Sequence, residues 1–418
     1  MTFHYDCIVL GGGPAGSTVA ALAAAGGCRT LILERDAAPR LHAGESILPA
    51  AHATLERLGL RERIAAERFP RQTGVQFIDA SGRASPPFCF RGGPCAAGWN
   101  VDRAAFDNLL FDHAIAQGAD GLREARAIEV LFEGRRAVGV RAELPQGDAV
   151  YRCRVVVDAT GQQSLVARQL GLREPVEGCP RAAIWTHYRG GRREDETEGG
   201  ARLLLRTRDR RAWFWYVPLP HDLVGVGVVG DVEHLLRGRG RAEAVFEEEL
   251  VGCPAVAERL IDASLAAEFR IARDLEYTTV PAAGDGWLLV GDALAALDPL
   301  LSAGVFLALT SGEWAADALL DGLARDDLSG EQLGRWTADF LAGTQRLRRL
   351  GAALYNDRFD PEEFARGAPR RREALADLLA GQVFQPSAGA ALEELEYWLG
   401  RGADSPETSS IAPADTAG

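Results

Sequence analysis

Tyr5-Asp6-Cys7-Ile8-Val9-Leu10, then Gly11-Gly12-Gly13-Pro14-Ala15-Gly16, an alanine-rich run and Leu31-Ile32-Leu33-Glu34 decide the fold. The first six residues are an apolar run of strand length, and the run after Gly16 has helical length and composition. Gly11, Gly13 and Gly16 fit G-x-G-x-x-G, and each has its own physical task. Gly11 permits the tight turn out of the strand, Gly13 lets the backbone approach a pyrophosphate, and Gly16 lets the helix pack closely on the sheet. The first helical turn, with Ala15 in it, aims unpaired N–H groups and the positive dipole end at phosphates. Glu34 ends the second strand, where an acid meets a ribose hydroxyl pair. A glycine triplet alone is weak evidence; here strand, turn, helix, strand and acid fall in order.

A chain of 418 residues is too long for one small core, so two or three subdomains are expected. Its formal net charge of −13 argues against nucleic acid and anionic membranes as main partners. No basic segment precedes the first apolar run, which points to no signal peptide and to a cytoplasmic protein. The longest apolar region, 293–309, is interrupted by Asp298 and Pro299, so no membrane insertion is expected. The seven cysteines and seven histidines show no metal-ligand spacing, so no metal is expected. All 46 basic residues are arginine, so no lysine can act as nucleophile, base or Schiff-base former.

Along the chain, residues 47–68 read as helix and 74–90 as a hairpin around Ala80-Ser81-Gly82. Helix is expected over 103–117, strands over 127–132, 136–143 and 150–158, and a β-rich stretch over 181–230. Helices follow over 240–266, a buried strand at Trp287 to Val290, and helices again over 302–400. The organisation expected is a dinucleotide-binding domain over 1–71, 101–176 and 284–345, and a β-rich substrate domain over 72–100 and 177–283. A C-terminal helical region covers 346–401, and 402–418 is a polar, disordered tail.

Three more segments carry chemistry. Arg103 opens a helix, Val155-Val156-Val157-Asp158-Ala159-Thr160-Gly161 is a strand ending in an acid and a glycine, and Leu288-Leu289-Val290-Gly291-Asp292 is another. Parallel strands with acids and glycines at their carboxyl ends line a cofactor crevice. Asp292 suits the hydroxyls of a ribityl chain. The N–H groups of a helix starting near Ser302 suit negative charge on a flavin ring.

Together these segments resemble FAD-dependent monooxygenases of the p-hydroxybenzoate hydroxylase type. Gly44-Glu45-Ser46-Ile47-Leu48-Pro49 resembles the Gly-Glu-Ser-Leu-Leu-Pro loop of flavin-dependent halogenases. Trp213-Phe214-Trp215-Tyr216-Val217-Pro218 is similar to their Trp-x-Trp-x-Ile-Pro, with Val217 for Ile, and Asp298 to Val305 to their Asp-Pro-x-x-Ser-x-Gly turn. Tyr355-Asn356-Asp357 and Leu379 to Phe384 fit as well, so the resemblance spans residue 4 to about 400.

The resemblance implies an α/β protein with a Rossmann-like FAD-binding fold of the glutathione-reductase type, a β-rich substrate layer and a C-terminal helical cap. It implies non-covalent FAD held by Gly11, Gly13, Ala15, Gly16, Glu34, Arg103, Gly161, Gly291, Asp292, Ser302, Gly304 and Val305. No second G-x-G-x-x-G unit appears, so no dedicated NAD(P)H domain is expected, and a separate flavin reductase is left open. One departure stands out. The halogenases use a lysine just before a Gly-x-x-Phe strand; here that position is Gln72, and an amide is neither a nucleophilic amine nor a base.

The function expected is therefore hydroxylation of an electron-rich aromatic substrate, free or protein-tethered, for example a tryptophan in a partner protein. Halogenation without the amine, dehydrogenation or desaturation, and a non-catalytic flavoprotein are the alternatives. His42, Glu45, Gln72, Ser302 and Gly304 are the candidates for the reacting end, and Trp185, His187, Trp213 and Trp215 for the substrate wall. His42 is either a base or a structural histidine beside a loop. Trp213 and Trp215 either line a tunnel or pack the core.

Overall fold

The computed structural model describes residues 5–38, 44–79, 81–92, 96–176, 180–193, 200–273 and 275–401. His42, the hairpin tip at Ala80 and the 402–418 tail lie outside the described residues.

The opening motif builds the centre of a parallel sheet. Tyr5–Leu10 lies between Thr30–Leu33 and Gly147–Asp158, with Trp287–Leu289 beyond the latter and Asp120–Leu122 beyond the former. The inner stretches 7–10, 31–33 and 155–157 are apolar and buried because both faces of the sheet are covered there. Their register sets the site. Leu10 pairs with Leu33 and with Asp158, and Asp158 pairs with Leu289, so all four strands end at one line. Gly11, Glu34, Ala159 and Val290 emerge side by side along it. The long strand also turns away into an antiparallel meander with Arg126–Glu133 and Arg136–Leu144.

Pro14–Ala25 lies against the sheet, with the helices Gly304–Arg325 and Arg103–Ala116 packed beside it. Their close approach depends on absent side chains. A Cβ on Gly16 would lie 2.0 Å from the Gly11 carbonyl oxygen, and one on Gly312 would lie 2.7 Å from that of Ala15.

The expected β-rich layer is a second sheet, ordered Ser264–Leu265, Arg181–Arg189, Leu223–Asp231, Ala212–Leu219, Ala201–Arg206, Gly74–Ile78 and Phe88–Cys89. Arg270–Arg273 also pairs with Arg181–Arg189. Alternation divides its side chains between two cores. Trp185, Leu204, Trp213, Trp215 and Val217 pack toward the dinucleotide-binding side. Ile184, Leu203, Leu205, Phe214 and Tyr216 pack against Phe246 and Val256 of the helices Ala242–Val251 and Pro254–Arg259.

Two expectations need correction. The helix over 47–68 is three short pieces, Pro49–Ala51, His52–Arg57 and Arg61–Ala66, because Gly59 takes φ +70° and turns the chain. Helices do not fill 240–266, since Ser264–Leu265 is a strand on the sheet edge. The C-terminal helices Thr337–Tyr355, Pro369–Leu379 and Pro386–Arg401 complete the fold. Phe384 packs with Phe306, Trp314 and Phe340, which fastens them to the Gly304–Arg325 helix.

Candidate functional site

One cavity of about 470 Å³ runs along the carboxyl ends of the parallel strands, from Glu34 to Val305. Gly11, Gly13, Ala15, Glu34, Arg103, Gly161, Gly291, Asp292, Ser302, Gly304 and Val305 all line it, together with Trp185. Gly16 does not; it serves helix packing, as its place in the motif implies.

At one end, Gly11 turns the chain with φ +103°, and a Cβ there would also strike the Ala159 carbonyl oxygen at 2.4 Å. A Cβ on Gly13 would meet nothing within 4 Å, so the backbone there borders open space of the kind a pyrophosphate fills. The helix behind it has no side-chain cap and no acid in its first turn, which leaves its N–H groups unspent. Glu34 is held by two backbone donors, Gly12 N–H at 2.7 Å and Asp36 N–H at 2.9 Å. An acceptor so fixed suits ribose hydroxyls.

At the other end, Arg103 donates to Asp107 through Nε at 3.0 Å and Nη2 at 2.9 Å, which orients its guanidinium beside the cavity. Burial pushes the Asp292 carboxyl up to about 6, and the Arg103 charge offsets this only in part. Asp298 accepts from Leu300 N–H at 2.8 Å and from the Tyr355 hydroxyl at 2.7 Å, and burial lifts its carboxyl to about 6 as well. These two bonds hold the Asp298–Pro299 turn at the cavity wall. Ser302 is not the first helical residue; it sits left-handed at φ +51°, and the helix starts at Gly304. That helix also begins without a side-chain cap or an acid, so its free N–H groups open on the cavity.

The remaining candidates stand behind this wall. Glu45, next to the cavity-lining Gly44, is buried and lies 3.0 Å from His187 Nε2. Trp185, His187, Trp213 and Trp215 share one sheet face, but only Trp185 of these reaches the cavity. The ring of Trp215 fills the space left by Gly227, where a Cβ would lie 2.0 Å from it. Tyr188, next to His187 in the chain, points to the opposite face and stacks on Phe246 at 6.4 Å, away from these aromatics. Gln72 is fully buried, and neither atom of its amide has a hydrogen-bond partner.

Sequence reading missed three things here. Gly225 and Gly227 make room for Glu45 and Trp215, a role signalled only by the alternation Val224-Gly225-Val226-Gly227-Val228. Tyr355 clamps the Asp298 turn from 57 residues away. Arg202 is a wholly buried guanidinium that no local pattern marks.

The cavity thus offers phosphate donors and a ribose acceptor at one end, and an uncapped helix with a buried acid at the other. Its residues fit an extended FAD. Comparison with known proteins agrees. Residues 6–169 match the FAD dependent oxidoreductase family, and residues 90–360 match the tryptophan halogenase family. A 1H-pyrrole-2-carbonyl-[peptidyl-carrier protein] chlorinase of Pseudomonas fluorescens is 27% identical, over 94% of this chain and 92% of its own. A corresponding brominase of Pseudoalteromonas luteoviolacea is 29% identical over 77% and 79%. The solved triple mutant of the flavin-dependent brominase Bmp2 has 25% identity and a TM-score of 0.84, over 94% of this chain and 99% of its own. This chain is an FAD-dependent oxidoreductase that belongs to the tryptophan halogenase family.

Proposed function

We propose that the chain halogenates an electron-rich aromatic ring, free or tethered to a carrier protein, without an amine relay. The observation that carries this is one cavity bounded at its reacting end by both the Asp298–Val305 turn and Trp185. The pyrrole-carrier chlorinase and brominase among its relatives support the same reading, and they favour it over the hydroxylation first expected. When bound and reduced, FAD supplies the electrons that activate dioxygen.

The residues divide the remaining work. Gly11, Gly13 and the helix from Pro14 cradle the pyrophosphate, with Glu34 on the ribose. Arg103 and Asp292 hold the polar middle of the cofactor. The N–H groups from Gly304 and Val305, which open on the cavity, would stabilise negative charge on the ring of the bound cofactor. Trp185 walls that end from the β layer and excludes water, while the Glu45–His187 pair fixes the adjoining loop. A separate reductase supplies reduced FAD.

A second reading, hydroxylation, is favoured by one observation, that the chain has no lysine; the resemblance would put the halogenases' lysine at Gln72. The test is turnover with reduced FAD and dioxygen on pyrroles, phenols and indoles, free and as carrier thioesters, with and without bromide. Product that forms only with bromide supports halogenation. Product that forms equally without it supports hydroxylation.

A further inference from the structure

The C-terminal helix Thr337–Tyr355 reaches the turn end of the cavity without lining it. Arg348 and Tyr355 stand seven residues apart in it, close to two turns, so they share one helical face. Arg348 Nη2 donates to the carbonyl oxygens of Tyr277 at 2.7 Å and Ala296 at 3.3 Å. The Tyr355 hydroxyl donates to Asp298 Oδ2 at 2.7 Å. Between them Gly351 faces the same stretch, since a Cβ there would lie 3.9 Å from Leu301 Cδ1. One face of one helix thus grips residues 296–301 at successive points.

The grip is itself held from the second sheet. The Arg181 guanidinium lies 3.7 Å from the centroid of the Tyr355 ring, and Arg181 begins the strand that carries Trp185. Just past the helix, the Asp357 carboxylate accepts from Arg206 Nη2 at 3.1 Å, and the Asp357 carbonyl accepts from Arg210 Nη2 at 2.7 Å.

The gripped residues do face the cavity. Leu297, Asp298, Pro299 and Ser302 line it, and the chain then enters the helix Gly304–Arg325, whose uncapped start opens there. The positive end of a helix acts over about its first turn, so what it does to a ring depends on where the turn before it stands.

We propose that Arg348 and Tyr355 are positioning residues for the flavin, which through residues 296–301 set its affinity and its reduction potential. The proposal rests on the ring lying at this end of the cavity, as in the proposed function, and not on which substrate reacts.

The test uses the full chain, stripped of FAD and reloaded. Tyr355→Phe removes only a hydroxyl, and Arg348→Met keeps an apolar stem; neither residue lines the cavity. Each variant should weaken FAD binding by roughly two- to tenfold in a flavin-fluorescence titration, the range that one hydrogen bond spans. Each should also move the flavin midpoint potential to more negative values, because the reduced, anionic ring loses stabilisation. Asp298→Ala cuts the turn free of Tyr355, so adding Tyr355→Phe to it should move the potential no further. Wild-type affinity and potential in both Tyr355→Phe and Arg348→Met would overturn the proposal. So would a Tyr355→Phe shift of equal size with and without Asp298→Ala, which marks general loosening. A shift in Asp298→Ala alone refutes the proposal and leaves the ring placement standing; no shift even there sinks both.

Discussion

His187 Nε2 and Glu45 Oε1 lie 3.0 Å apart across 142 residues of sequence. The pair joins the loop at the cavity wall to the middle of the second sheet. Gly225 sits opposite His187 in that sheet and makes the contact possible, since a Cβ there would lie 2.9 Å from Glu45 Oε1. Two layers that meet largely through apolar contacts are thereby fixed in register by one buried polar bond.

His187→Ala should leave the Glu45 carboxyl buried without this partner, at a cost of about 1–3 kcal/mol. Thermal unfolding should begin at lower temperature, and His187→Gln should restore part of the loss. Equal unfolding of His187→Ala and wild type would contradict the bond's role.

Gly227→Ala places a methyl group into the Trp215 ring, which is buried and cannot swing away. Overpacking of this kind costs about 1–3 kcal/mol. The Gly227→Ala, Trp215→Phe double variant should recover stability relative to Gly227→Ala, as read from thermal midpoints.

Gly13 and Gly16 should part company. Gly13→Val projects into open cavity, so the protein should fold but purify colourless. Gly16→Val drives side-chain atoms into the Gly11 carbonyl and should lower stability whether or not FAD is present. Yellow, flavin-loaded Gly13→Val protein would refute the assignment of that end.

Asp292 carries a pH signature. Its carboxyl is raised from 3.8 to about 6 in the folded chain, chiefly by burial. Between these values the folded state holds more protons than the unfolded one, so this group's contribution to stability falls as pH rises through that window. Asp292→Asn removes the cost. In FAD-free protein it should raise the thermal midpoint at pH 7.5 and do so much less at pH 4.5. The same gain at both values would contradict the raised carboxyl.

Much of this architecture was legible in local sequence. Tyr5 to Glu34 specifies a strand, a glycine turn, a helix and an acid within thirty residues, and the cavity edge follows from where its strands end. Asp292 and the Asp298–Val305 turn were readable for the same reason. The Glu45–His187 pair was not, because only the packing of two sheets brings those residues together. The facing of Tyr188 depended on a sheet register that a single strand does not reveal. Arg202 escaped notice because burial of a charged residue contradicts its usual preference, and only the three-dimensional fold reveals it.

The chemistry itself is decided by one reaction: reduced FAD, ¹⁸O₂ and bromide with an electron-rich aromatic substrate, analysed by product mass. The halogenase reading expects the bromine isotope doublet on the ring and no ¹⁸O in the product. A product that carries ¹⁸O and no bromine would contradict it and establish hydroxylation by a lysine-free member of this family.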